Sequence, residues 1–317
     1  MSGKSPKSVA YFCAEFGIDS NTPTYAGGLG ILAGDTLKEA ADRDYPMTGI
    51  GLLYQGKMFI QRINQDGWQT EEVSLYDPAS ACLRRVTQGG KPMYVVANFG
   101  GQEIYITSYQ IRVGDHTNLY LLTSDSHKNP DDWRSIMSAD YWGDPETQIR
   151  QQLVLGIGGV KLLEKLKIKT DYYHFNEGRP CFAVWEIISQ LMSNSKLSFE
   201  EALVEAKEKI IYTNHTLLKS GNLQYSTDLV KKYAESFAQS MNINSDQLIS
   251  AGKLEDQSQF GITQYSMNIS SKITAVSKIH GELCQKQWPA VKWSAITNGV
   301  HLPSWQNTHF RDPNLSN

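Results

Sequence analysis

The chain has 317 residues, 40% of them hydrophobic and 20% charged, with 30 basic against 33 acidic side chains and a formal charge of −3. These are globular proportions, enough for one sizeable α/β domain or two ordinary ones. The near balance of charge gives no electrostatic case for a nucleic-acid or membrane partner. The longest apolar stretch, Leu153 to Val160, is interrupted by Gly156, Gly158 and Gly159, and it falls far below the roughly 20 residues of a spanning helix.

At the N-terminus, MSGKSPKSVAYFCAEFG holds an apolar run shorter than a secretory signal requires, with no small-residue cleavage site after it. Cys13, Cys82, Cys181 and Cys284 are scattered without a CxxC pair and sit in apolar or helical patterns. They read as reduced core thiols rather than bridges or zinc ligands, so no metal site is expected and the expected compartment is cytoplasmic.

In chain order, SVAYFCAEF reads as a buried strand and YAGGLG as a loop. ILAGDTLKEAADR follows as an amphipathic helix and PMTGIGLLY as a second buried strand. Between residues 55 and 123 short alternating segments such as PMYVVANF and EIYITSYQIRV are separated by DG, GG and GD turns. That texture predicts an antiparallel insertion or meander. From Pro145 onward helices and strands alternate. ETQIRQQLVLGIGGVKLLEKL is one helix, TDYYHF a strand, and EGRPCFAVWEIISQLM and LSFEEALVEAKEK are helices, the latter capped by Ser198. IIYTNHT is the next strand, then mostly helical segments, SKITAVS, the helix KIHGELCQKQW and a last short strand SAIT. The alternation predicts a mostly parallel, doubly wound sheet, whose ligands sit beyond the carboxyl ends of its strands.

Two nucleotide-like patterns fail on chemistry. Gly51 to Lys57 resembles a phosphate-binding loop, but Met58 stands where a hydroxyl would hold magnesium and the interior is apolar; it reads as a strand and hairpin turn. Gly156-Ile157-Gly158-Gly159 lies in mid-helix, where glycines point to close packing rather than to a dinucleotide. Gly27-Gly28-Leu29-Gly30 is different, because it joins a strand to a helix N-terminus. Its amides suit either a phosphate or sugar hydroxyl, or a plain tight turn. Three polar clusters end strands: Asn176-Glu177-Gly178-Arg179, Asn214-His215-Thr216 and Asn298-Gly299-Val300-His301. Such side chains can hold sugar hydroxyls or serve as acid and base, or they can be satisfied turn polars.

Taken in order, YFCAEFG, YAGGLGILAGDTLKEAAD, GIGLLYQGKMFIQ, DGWQ, YWGDPETQIRQQLVLGIGGV, YHFNEG, YTNHT, VSKIHGE and ITNGVHLPSW resemble the α-glucan (glycogen, starch, maltodextrin) phosphorylase family, from Tyr11 to Trp305. The resemblance covers nearly the whole chain but only the N-terminal half of the family's protein. It implies a GT-B fold, here one Rossmann-like domain over residues 1–317. The β-rich insertion spans 55–123, and the crossover to a second domain begins at 297–317. It also implies phosphorolysis of α-1,4-glucan by inorganic phosphate to glucose 1-phosphate, with pyridoxal phosphate as cofactor.

Carried over by residue, the resemblance places Gly27, Gly28, Leu29 and Gly30 near phosphate and sugar, and His215 at the hydroxymethyl end of the glucose. It puts Asp144 in the loop lining the substrate channel and Asn176 and Glu177 near the sugar, with Asn214 in the same turn as His215. Asn298 and His301 lie in the segment leading to the second domain. No GT(S/G)NMK-like segment carrying the Schiff-base lysine occurs in the sequence. The partner this implies is a separate or continuing C-terminal half. Two departures stand out: Arg179 replaces the family's usual histidine, and Leu217 to Gly221 replace the usual continuation of TNHT with proline. A permanently charged guanidinium cannot stand in for a neutral imidazole. The competing readings are a non-catalytic glucan-binding module and a sugar-nucleotide synthase. The second is disfavoured by Thr24-Tyr25-Ala26, where such enzymes carry a lysine before the glycine turn.

Overall fold

Val9 to Phe12 form strand β1 of a computed structural model that describes residues 6–19, 22, 24–56, 60–72, 83–138, 143–218 and 221–306. Tyr11 and Cys13 point to one face of the sheet and Ala10 and Phe12 to the other, the period-two alternation that a doubly covered strand imposes. The remaining strands of the sheet are β2 (Met47–Leu52), β3 (Arg84–Arg85), β4 (Tyr94–Phe99), β5 (Gln102–Arg112), β6 (Asn118–Thr123), β7 (Tyr172–Asn176), β8 (Ile210–Asn214), β9 (Lys272–Ala275) and β10 (Trp293–Ala295). They lie in the order β10-β9-β8-β7-β1-β2-β6-β5-β3, with β4 also paired to β5. From β10 to β6 every neighbour is parallel; β5 then runs antiparallel to β6, β4 and β3. This is the mostly parallel α/β sheet that the alternation of segments predicted.

The sheet refines two expectations. Strands β3 to β6 of the β-rich stretch continue the main sheet, because β6 pairs in parallel with β2 in the register Tyr120↔Ile50, whereas 60–63 with 69–72 and 87–88 with 91–92 form separate two-stranded pairs. Leu119 and Leu121 thereby enter one core and Tyr120 and Leu122 the other. The long helix after Pro145 is not uniform. It runs α-helical over Pro145–Leu153 (α2), widens to a π-turn over Val154–Gly158, and resumes over Gly159–Lys165 (α3). Its glycines sit where neighbours press closest. A Cβ on Gly156 would meet the Ala183 nitrogen at 2.5 Å, and one on Gly159 the Phe12 ring at 2.5 Å. Close packing is therefore what these glycines serve.

Helix α1 (Gly28–Asp42) covers one face, burying Ala33 and Leu37 against Tyr11, Cys13 and Phe16. Helices α2 and α3, with α4 (Ala183–Ser195), cover the other. Helix α4 starts later than its sequence suggested, since 178–182 form i to i−3 turns ahead of it. Ser198 and Glu201 close a capping box on α5 (Phe199–Lys209). Helix α6 (Ile262–Asn268) and α7 (Lys278–Gln287) complete the elements that bear on the site. Cys13, Cys181 and Cys284 are buried and unbridged, as a core-thiol reading expects, while Cys82 and Met58 lie outside the described residues. No helix among the described residues is long and apolar enough to cross a membrane.

β1 is the strand from which the chain first winds towards β2 and later, through β7, the other way. The carboxyl ends of β1 and β7 thus form a topological switch point, where a doubly wound sheet opens a crevice.

Candidate functional site

That crevice is occupied by a pocket of about 360 Å³, within the range of roughly 300–1,000 Å³ usual for small-molecule sites. Ala14 follows β1, Leu29 belongs to the glycine turn, Asn176 ends β7 and Glu177 to Arg179 follow it, and His215 and Thr216 follow β8; Leu223 and Ile262 form an apolar wall beside Thr263. The fold therefore brings Leu29, Asn176, Glu177, Arg179 and His215 together from stretches far apart in sequence.

The turn after β7 is tightly specified. Glu177 has φ +68°, the left-handed region that costs a non-glycine residue and is over-represented at functional sites. Gly178 is next, and a Cβ there would meet Ile262 Cγ2 at 2.6 Å. The Glu177 carboxylate reaches across to β8. Oε2 accepts from the His215 backbone N–H at 2.9 Å and from Thr216 Oγ1 at 3.3 Å, and Oε1 accepts from the Tyr212 hydroxyl at 3.2 Å. Burial nevertheless pushes this carboxyl up to about 7, against the donors that favour its charge.

The ring of His215 lies with Nε2 2.7 Å from Asn176 Oδ1. Burial, then the nearby His280, pushes His215 down to about 4, so the ring is neutral at pH 7. His174, beneath it on β7, is pushed down to about 4 by burial and by His215, and contacts Thr213 Oγ1 at 2.7 Å. The histidine edge is thus an uncharged hydrogen-bonding surface. Arg179, 8% exposed, is the permanent cation in the lining.

The other sequence candidates have different surroundings. Asn214 is fully buried; its amide donates to the Thr216 carbonyl at 3.2 Å and its Oδ1 accepts from Tyr212, so it shapes the turn beneath the pocket. Asp144 is exposed and caps α2 by accepting from the Thr147 N–H at 2.9 Å. It is not in the pocket lining, because the cap holds it at the helix start. Asn298 is exposed, its backbone N–H given to the Val276 carbonyl. His301 is buried against α1, with Nε2 2.9 Å from Asp42 and its backbone N–H on Asp35.

At the glycine turn the structure corrects the picture of a row of open amides. The amides of Ala26 and Gly27 donate to Glu15 Oε2 at 2.8 and 3.0 Å. The Glu15 carboxylate thus takes the place at the start of α1 that an outside anion would claim. The N–H groups of Gly28, Leu29 and Gly30, in the first helical turn, have no intrahelical acceptor. Gly30 is required by Tyr25 and Glu15, whereas a Cβ on Gly27 or Gly28 would meet nothing within 4 Å.

Sequence reasoning missed two acids. Glu15 braces the glycine turn. Asp35, 3% exposed, accepts with Oδ2 from the His301 N–H at 3.1 Å and the Trp305 indole N–H at 2.8 Å. An acid inside an otherwise apolar run, as in AYFCAEF, was the available signal for Glu15.

The pocket lining contains no lysine among the described residues. It therefore has no amine to hold pyridoxal phosphate as a Schiff base, and attachment of that group does not fit this site. Among the described residues no cluster of His, Cys, Asp and Glu is arranged to hold a metal ion.

No family model matches the chain. Among curated proteins, the maltodextrin phosphorylase of Thermococcus litoralis is 34% identical over 313 residues, covering 96% of this chain. The chain is a homologue of the maltodextrin and glycogen phosphorylases. The glycogen phosphorylases of Mycobacterium tuberculosis and Aquifex aeolicus are 31% and 32% identical over 95% and 94% of it. The chain spans only 37% of the length of the first two relatives and 44% of the third.

Proposed function

We propose that this chain forms the sugar-binding wall of an α-glucan phosphorylase, the N-terminal domain of a GT-B pair. The observation that carries this reading is the convergence of Asn176, Glu177, Arg179, His215 and Leu29 of the glycine turn on one pocket at the switch point. Neutral His215 and the amides of Gly28 to Gly30 offer hydrogen bonds to the hydroxyls of a terminal glucose. Open space over Gly27 and Gly28 lets a ligand approach the backbone closely. Arg179 supplies a planar cationic fork suited to a phosphate oxygen pair. Nothing in the lining resembles the two opposed carboxylates of a glycoside hydrolase, since Asp144 is committed to its cap and Glu177 to β8.

In the family the cofactor's phosphate exchanges protons with substrate phosphate, and that chemistry would come from the region of the relatives that this chain does not match. This chain's own residues bind and orient: His215 and Asn176 fix the sugar edge, and the apolar wall of Leu223 and Ile262 keeps water from it. Soluble, cytoplasmic action on α-1,4-glucan and inorganic phosphate follows from the same reading. The test is to combine the chain with the unmatched C-terminal region of the Thermococcus relative. Phosphate-dependent release of glucose 1-phosphate from maltodextrin, abolished by His215→Ala, is expected. A folded complex that binds pyridoxal phosphate and releases none refutes the proposal.

A second reading, a non-catalytic glucan-binding module, draws on the lysine-free lining and on Arg179. It is distinguished by maltoheptaose binding to the chain alone together with no phosphorolysis in the combined protein.

A further inference from the structure

We infer that Glu177 is a positioning residue: its carboxylate braces the turn after β8 so that the His215 ring is held at the pocket, and it is not an acid or base of the reaction. The inference rests on the reading of this pocket as the sugar site, but its structural half stands apart from that reading.

The brace is unambiguous in its chemistry. A backbone N–H only donates, so the 2.9 Å contact between the His215 nitrogen and Glu177 Oε2 has a single polarity in either charge state of the carboxyl. The same carboxylate also takes the Thr216 hydroxyl, the Tyr212 hydroxyl and the Gly178 amide. Three donors, with the single Tyr212 O–H shared between Glu177 Oε1 and Asn214 Oδ1, occupy most of the roughly four lone-pair sites of a carboxylate. These donors lie before, at and after the turn, so one side chain ties the end of β8 to the end of β7.

His215 is pinned on other sides too. Asn176, adjacent to Glu177, takes the ring at Nε2, and the His280 ring on α7 hydrogen-bonds the His215 backbone. Residues 176 and 177 thus divide the work, one holding the ring and the other the main chain. The left-handed backbone at Glu177 is what turns its side chain towards β8, and Gly178 is the residue whose lack of a Cβ lets that turn fit beneath Ile262. An aspartate is one methylene shorter. A glutamine presents an NH2 group where donors already converge.

The experiment uses the chain as it stands, with two variants. Glu177→Gln is isosteric; Glu177→Asn suits a left-handed backbone but is too short to reach His215. Amide hydrogen exchange without ligand is expected to rise at least tenfold at His215 and Thr216 in both variants, with the 15N shifts of the His215 ring altered and exchange in the strands unchanged. Maltoheptaose affinity is expected to fall about tenfold, and the double variant with His215→Ala is expected to bind no more weakly than His215→Ala alone. Unchanged exchange in the 214–216 turn overturns the brace. Losses that add in the double variant overturn the action through His215. If the unaltered chain binds no maltoheptaose, the sugar reading fails while the exchange measurement still decides the brace.

Discussion

Acidification should reveal the opposed burdens carried by the pocket. The unfolded chain titrates its histidines near 6.5, whereas His174 and His215 in the fold are pushed down to about 4. Between those values the unfolded state binds the extra protons, so each ring contributes stability that is lost as the pH falls from 6.5. At 1.36 kcal/mol per pKa unit, reduced for partial exposure, the loss is about 2 kcal/mol per ring by pH 4.5. Glu177 has the opposite sign. Raised to about 7, it keeps its proton in the fold when the unfolded carboxyl has lost it, so its contribution grows as the pH falls from 7 to 4.5. That growth is also about 2 kcal/mol, so the three groups together should cost about 2 kcal/mol between pH 7 and 4.5. Glu177→Gln removes the compensating group and should roughly double this loss; His174→Gln removes one ring and should nearly abolish it. Urea denaturation of the three proteins at both pH values measures the differences, with a constant m value required. The reasoning is refuted if Glu177→Gln leaves the acid loss unchanged or makes it smaller.

Other outcomes follow from single contacts. Gly178→Ala places a methyl 2.6 Å from Ile262 and should destabilise by about 1–3 kcal/mol in the same denaturation assay. Gly28→Ala meets no atom within 4 Å and should leave stability within about 1 kcal/mol while weakening maltoheptaose binding, which calorimetry can compare. Asp35→Ala strands the buried His301 amide, at about 1–3 kcal/mol, and releases the indole N–H of the exposed Trp305 to water. Hydrogen exchange at 301–305 should rise sharply, and Asp35→Asn, which keeps an acceptor, should rise less. Glu15→Ala should expose the Ala26 and Gly27 amides, read as faster exchange confined to the glycine turn.

Periodicity carried the parallel half of the fold well, because buried strands such as β1 and β8 are short apolar runs between helices with clear charged faces. The β-rich stretch was recognisable as antiparallel, but not as part of the main sheet. Only the parallel pairing of β6 with β2 joins it there, and such long-range pairing leaves no local mark. Likewise Gly156 and Gly159 signalled close packing, whereas the π-turn between α2 and α3 depends on which backbone they meet. At the site, the strand-end rule drew out Asn176, Glu177 and His215. It could not tell a pocket-facing group from one spent beneath it, which is why Asn214 read as an equal candidate, while Asp144 came from the resemblance alone and is spent on a helix cap. The distinction lies in where donors end up. Asn214 and Glu15 answer backbone and side-chain groups elsewhere in the chain, and those pairings appear only once the chain has folded.

The central claim, that this pocket is a glucan-binding wall, is tested most directly by titrating the chain with maltoheptaose while following its backbone amide resonances. Shifts confined to Gly28–Gly30, 176–179 and 215–216, and lost in His215→Ala, are expected. Saturating shifts elsewhere, or none at millimolar sugar in a protein shown to be folded, would contradict it.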